Sequence, residues 1–100
     1  MALRRFGFIV KGAGYEPATH TVKLESPQIT TTMIGISRPE EALAVARAMV
    51  ADGVQLIELC GGFGPVWTAR VIEAIAGKIP VGAVAYGPES IDQMYALFAD

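Results

Sequence analysis

The sequence has one cysteine, one histidine and few charges, and each shortage excludes a class of protein. The lone Cys60 excludes an intramolecular disulfide, and with one histidine there is no Cys/His cluster for a metal. The eight basic residues are scattered and the formal net charge is −2, so nucleic-acid binding has no electrostatic basis. No apolar run reaches the roughly 18 residues that a membrane helix needs. We therefore expect no metal site, no nucleic-acid partner and no membrane partner.

The composition also bounds the size and assembly of the protein. A length of 100 residues predicts a single domain, residues 1–100. The N-terminal apolar stretch is too short for a signal peptide and is closed by Lys11, so we expect a cytoplasmic protein. Hydrophobic residues make up 52% and charged residues 18% of the chain, against about 25% charged in average domains. Such thin polar cover predicts a homo-oligomer.

Apolar runs alternate with segments of helical character along the chain. The residue patterns predict strands over 6–10, 28–36, 54–60 and 79–86, and helices over 16–24, 42–50, 64–76 and 90–98. The first helix is the weakest of these predictions, because Thr19, Thr21 and Val22 are poor helix formers. The second helix should bury Ala42, Val45, Ala46, Met49 and Val50, and the third should bury Ala69, Ile72, Ile75 and Ala76.

This alternation predicts an α/β fold with a small four-stranded parallel sheet and helices on both faces. The first and third strands are the most apolar and should be central. The second carries three consecutive threonines and the fourth carries Pro80, so both should be edges. The resulting strand order is 2-1-3-4, as in flavodoxin-like sheets. If residues 16–24 are not helical, a ferredoxin-like α+β arrangement with antiparallel first and second strands is the alternative.

A ligand site is expected where the connections of such a sheet reverse direction, between its first and third strands. The loops there, residues 11–15 and 60–64, are both glycine-rich, and the second opens a helix whose N-terminus could hold an anion. Neither loop matches a known phosphate-binding pattern, and tight turns alone would also explain the glycines. The predicted ligand is a small anion, and the predicted binding residues are Lys11, Gly12, Gly14, Arg38, Gly61, Gly62, Phe63 and Gly64.

Two residues of the third strand are candidates for catalysis. Glu58 shares a strand face with apolar residues, which suits a general acid or base shielded from water. Cys60 precedes the glycine loop and could act as a nucleophile. The alternatives are that Glu58 is tied to loop amides or to a basic side chain, and that Cys60 is a small buried hydrophobe. His20, the only histidine, is not shown by the sequence to reach Cys60.

The motif Ile57-Glu-Leu-Cys-Gly-Gly-Phe-Gly-Pro65, followed by Pro80-Val-Gly-Ala-Val84, resembles a family of short, functionally uncharacterised bacterial α/β proteins. The resemblance covers most of the chain and implies a domain of unknown function, with no established activity. Two hypotheses remain open. The first is a protein, or an enzyme, that binds a small anionic metabolite at the strand-end loops. The second is a non-catalytic oligomerising module.

Overall fold

A five-stranded mixed sheet organises the chain, and the computed structural model describes residues 2–99. A short 3₁₀ turn, Pro88–Ser90, precedes the last helix. The elements in chain order are β1 Arg5–Lys11, β2 Thr21–Glu25, β3 Thr30–Ile36, α1 Glu41–Ala51, β4 Leu56–Leu59, α2 Gly64–Ala74, β5 Val81–Ala83 and α3 Ile91–Phe98.

The sheet has the order β2-β3-β1-β4-β5. The four strands predicted from the sequence, β1, β3, β4 and β5, are mutually parallel where they pair and keep the relative order 2-1-3-4. The prediction of a four-stranded, wholly parallel sheet is wrong, because a fifth strand, β2, pairs antiparallel with β3. The ferredoxin-like alternative is also wrong, because β1 and β3 run parallel.

The fifth strand occupies the segment predicted to be the first helix. Residues 21–25 of that segment pair with the threonine-rich β3, and β-branched residues favour such a pairing over a helix. Ser26 closes the hairpin, since its hydroxyl accepts the N–H groups of Gln28 and Ile29, both at 3.2 Å. The threonine strand is therefore internal, and the prediction that it forms an edge is wrong. The prediction of an edge position for the Pro80 strand is confirmed, although that strand shortens to Val81–Ala83.

Both crossover helices lie on one face of the sheet, so the prediction of helices on both faces is wrong. The chain moves from β3 across β1 to β4 and then on to β5, always in the same direction. Because parallel connections are right-handed, two crossovers in one direction place their helices on the same side. One core cluster accordingly joins strand residues Ile9, Ile57 and Leu59 to residues of α1 and α2.

The burial pattern of α1 follows its sequence closely, and that of α2 follows it only at Ile75. Ala42, Val45, Ala46 and Met49 are buried, as predicted for α1, whereas Val50 is half-buried.

In α2 the buried residue is Val71, while the predicted Ala69, Ile72 and Ala76 are exposed. Ile75, just after α2, is buried as predicted, and Phe63, just before it, supplies the rest of the contact with the core.

The last helix packs weakly on the body of the protein. None of the residues of α3 is buried, and Tyr95, Leu97 and Phe98 are each about three-quarters exposed, at 74%, 75% and 77%. No helix within residues 2–99 has the length and apolar character required to cross a membrane.

A capping interaction fixes the start of α1. One carboxylate oxygen of Glu41 accepts the backbone N–H groups of Ser37 at 3.0 Å and Arg38 at 2.9 Å, and the Ser37 hydroxyl at 3.2 Å. Mainly the Arg38 N–H, and then the Ser37 N–H, hold the pKa of Glu41 below its ordinary value of 4.5. The neighbouring Glu40 forms a 3.8 Å pair with Arg38.

Substitutions at neighbouring positions of α2 should reveal which face of that helix is internal. Val71→Ala should lower the free energy of unfolding by about 2 kcal/mol, because Val71 is fully buried. Ile72→Ala removes more atoms but should cost less than about 1 kcal/mol, because Ile72 is 39% exposed. Urea denaturation measures both. A larger cost for Ile72→Ala would contradict this packing.

The Glu41 cap should make stability depend on pH. Because the folded pKa is lowered, the contribution is present above the unfolded value and is lost as the pH falls through the folded pKa. Glu41→Gln should therefore destabilise at neutral pH and converge on the wild type as the pH falls through the lowered pKa of Glu41. Glu40→Gln is the matched control and should show little change at either pH. A Glu41→Gln deficit that persists unchanged in acid would contradict the proposed cap.

Candidate functional site

The candidate site lies at the carboxyl ends of β1 and β4, which are adjacent in the sheet. The connection that follows β1 leads to β2 and β3 on one side of it, and the connection that follows β4 leads to β5 on the other side. The two connections therefore diverge between β1 and β4, where ligands bind in open sheets of this kind. A cavity of about 590 Å³ opens there. It is lined by Val10, Lys11, Cys60, Gly61, Gly62, Tyr86, Met94, Leu97 and Phe98.

Lys11 is the charged residue of this lining. It is the last residue of β1, and its half-buried side chain extends past the glycine loop that follows β4. A Cβ atom on Gly62 would lie 3.1 Å from Lys11 Cε and 3.9 Å from Lys11 Nζ. A glycine at position 62 therefore makes room for the lysine, and the two predicted loops meet through this contact.

The Cys60 thiol replaces a backbone group at the end of the β1–β4 ladder. The backbone N–H of Cys60 donates to the Ile9 carbonyl at 3.1 Å, as a regular parallel ladder requires. The next rung would join the Lys11 N–H to the Cys60 carbonyl, but that carbonyl turns away to accept the Phe63 N–H at 3.2 Å. The Lys11 N–H donates instead to Cys60 Sγ at 3.2 Å. The thiol thus has a structural role on the cavity wall.

The glycine loop carries backbone donors that the protein does not use. The N–H groups of Gly61 and Gly62 have no acceptor among residues 2–99. The ring of Tyr86 lies against the loop, since a Cβ on Gly61 would come within 2.9 Å of Tyr86 Cε2. The cavity lining therefore combines a lysine, two glycines with unused N–H groups and a phenol with apolar side chains.

The two other predicted members of this loop have different roles. Phe63 is 4% exposed and belongs to the core beneath α2. Gly64 begins α2 with a φ of +70°, a value that favours glycine, and it does not contribute to the cavity lining. Pro65 follows in the first turn of α2, where its missing N–H costs nothing.

Three further predicted binding residues lie outside the cavity. Gly12 lies beneath the ring of Tyr15, and Gly14 occupies an exposed turn with a φ of +80°. The Arg38 side chain is 72% exposed and pairs with Glu40 in the turn before α1. These residues shape loops at the same edge of the sheet, but they do not join Lys11 and Gly62.

Glu58 is exposed, so the premise of a carboxylate shielded from water is wrong. It lies in the middle of β4, opposite Phe8 on one side and Gly82 on the other, on the sheet face that α1 and α2 leave uncovered. It is not among the residues that line the cavity. His20 is also remote from Cys60: its Nδ1 accepts the Glu16 N–H at 2.8 Å, and its ring contacts Tyr15.

Sequence reasoning missed the C-terminal wall of the cavity. Tyr86 follows the short β5, and α3 contributes Met94, Leu97 and Phe98. Their apolar character is visible in the sequence, but the pattern predicted only a terminal helix and did not place it beside the glycine loop. The sequence carries no signal for this, because its strand pattern continues to Tyr86 whereas β5 ends at Ala83.

The donor set suits anion binding more than metal binding. No group of three or more His, Cys, Asp or Glu residues able to hold a metal ion occurs within residues 2–99. An ammonium group together with two unpaired backbone N–H groups can neutralise and orient a carboxylate or a phosphate.

Two substitutions at Cys60 should separate its structural role from other roles. Cys60→Ala leaves the partly buried Lys11 N–H without an acceptor and should lower the free energy of unfolding by about 1–2 kcal/mol. Cys60→Ser keeps an acceptor and should cost less. Urea denaturation at constant pH measures both values. Equal losses would contradict the ladder role of the thiol.

Comparison with known proteins gives a family but no function. The model of a family of unknown function, DUF6506, matches residues 4–99. Neither the curated proteins nor the solved structures contain a match to the chain. Because the family model covers nearly all of the sequence, the chain belongs to the DUF6506 family, whose function is unknown.

Proposed function

We propose that the protein binds a small organic anion, with the charged group at Lys11 and an apolar body directed toward α3. The observation that carries this proposal is the mixed lining of the cavity. Lys11 provides positive charge, and Gly61 and Gly62 provide N–H groups that no other residue uses. Val10, Met94, Leu97 and Phe98 provide apolar surface. A carboxylate or phosphate ester with an aliphatic or aromatic group matches both kinds of lining.

The size and electrostatics of the cavity support this class of ligand. Its volume of about 590 Å³ lies inside the range of roughly 300–1,000 Å³ found for small-molecule sites. The described lining contains a lysine and no carboxylate, so an anion would meet no like charge there. Inorganic phosphate alone would leave the apolar wall unused, whereas a neutral molecule would leave the lysine without a partner.

The proposal is one of binding rather than catalysis. The Cys60 thiol lies on the cavity wall, but neither an imidazole nor a carboxylate stands beside it among the described lining residues. Its Sγ is already engaged by the Lys11 N–H. Glu58, the predicted acid or base, lies outside the cavity. The residues that carry the proposed function are therefore Lys11, Gly61, Gly62 and Tyr86.

Binding can be tested with phenyl phosphate, inorganic phosphate and phenol as three probes of one cavity. Phenyl phosphate should raise the midpoint of thermal unfolding in proportion to the logarithm of its concentration above Kd. Inorganic phosphate should bind more weakly and phenol more weakly still, because each matches only the polar or only the apolar part of the lining. Isothermal titration calorimetry would give the three affinities directly.

The Lys11 contribution can be isolated with a matched pair of lysine variants. Lys11→Gln should weaken phenyl phosphate binding by roughly tenfold or more, the usual worth of a charge-assisted contact. Lys23→Gln removes the same charge from the exposed strand β2, away from the cavity, and should leave binding unchanged. Equal weakening in both variants, or no binding by any of the three probes, would contradict the proposal.

A further inference from the structure

One face of the sheet lacks a covering layer of helices. We call it the open sheet face and define it by the side chains that project opposite to α1 and α2. The alternation of burial along each strand separates these side chains from the core cluster. The open sheet face comprises Phe6, Phe8 and Val10 of β1, Val22 and Leu24 of β2, Thr31 and Met33 of β3, and Leu56 and Glu58 of β4.

An exposed face is unusual for strands of this kind. β1 and β4 are central parallel strands, and parallel sheets are ordinarily covered on both sides. Phe6 and Phe8 are half-buried by their neighbours within the sheet, yet neither packs against the core cluster. Val22 and Leu24 are 56% and 64% exposed. The sequence of these strands is therefore that of a sheet buried on two sides.

The open sheet face is almost free of charge. Glu58 is its one ionisable side chain within the described strands, because the lysine and glutamate residues of β2 project to the other side. A surface for nucleic acid or for a strongly charged peptide would carry complementary charges. An apolar, nearly neutral surface fits a partner of the same character.

The helix α3 cannot cover this face within one chain. Its eight residues span about 12 Å at 1.5 Å per residue, whereas five strands at about 4.8 Å spacing extend over roughly 19 Å. The helix already lies at the carboxyl edge, where Val10 and Cys60 share the cavity with Met94 and Leu97. It extends the apolar surface of the open sheet face at that edge.

The exposed apolar area extends beyond the strands. Val22, Leu24 and Met33 of the open sheet face are 56%, 64% and 39% exposed, and Ile91, Tyr95, Leu97 and Phe98 of the adjoining α3 are 63–77% exposed. A standard interface buries about 800 Å² on each partner, so a stable contact requires the α3 surface together with the open sheet face.

We propose that the open sheet face is the contact surface for a second copy of this chain, with the two sheets packed back to back. A second copy supplies a face of equal width, equal apolar character and the same near-absence of charge, as an isologous interface requires. The α1 and α2 layers of both copies then lie outside, and each parallel sheet is covered on both sides. The α3 helices lie at the rim of the contact, next to the cavities.

Sedimentation velocity of the full chain tests this contact. The wild type should sediment with twice its chain mass of 10.6 kDa. Met33→Glu and Leu24→Glu place a charge on the open sheet face and should weaken the dimer by roughly 100-fold or more, because the interface would bury an unpaired charge. Both sites are exposed in the single chain, so each variant should keep the wild-type circular dichroism spectrum.

Lys23→Gln is the matched control for Leu24→Glu. Each substitution lowers the net charge by one at adjacent positions of β2, but Lys23 projects from the opposite face. Lys23→Gln should remain dimeric. A monomeric wild type at concentrations of about 100 μM, a dimer that survives both face substitutions, or dissociation by Lys23→Gln to the same extent would overturn the proposal. Ligand affinity is measured separately, so these outcomes do not depend on the proposed function.

Discussion

The handedness of two crossover connections determines most of this structure. The chain passes from β3 to β4 and from β4 to β5 in the same direction, and right-handed crossovers then place α1 and α2 on one side of the sheet. A helix on the other side would need a connection in the reverse direction, between β1 and β3. That connection contains β2 instead, which extends the sheet rather than covering it. The core, the open sheet face and the position of the cavity all follow from this arrangement.

The strands and helices that were predicted correctly have strong hydrophobic patterns within a single segment. The apolar runs around Ile9 and Ile57 marked central strands, and the spacing of Ala42, Ala46 and Met49 marked the inner face of α1. The helix predicted around Val22 is wrong because this segment pairs with the Thr-rich β3 instead. The helical pattern was weak, and a short stretch of sequence does not show which strand a segment will pair with. The same error made the prediction of helices on both faces wrong, since the predicted first helix would have covered the face opposite to α1 and α2.

The sequence predicted which loops would meet, but not the direction of every side chain. Lys11 and Gly62 lie together because their strands are adjacent and parallel and therefore end at the same edge of the sheet. The roles of Phe63 and Arg38 depend on side-chain direction, which loop composition does not specify. Glu58 failed as a buried acid because its strand face has no helix above it. The same missing layer thus accounts for the exposed carboxylate and for the apolar surface around it.

The central claim is that a second copy of the chain covers the open sheet face. Methionine oxidation by hydrogen peroxide measures this directly, because oxidation depends on access to the sulfur atom. Met33 lies on the open sheet face and is 39% exposed, whereas Met49 is in the core and 3% exposed. Oxidation of Met33 should slow as the protein concentration rises, while Met49 stays slow throughout. An oxidation rate of Met33 that stays at that of a freely exposed methionine at every protein concentration would contradict the account.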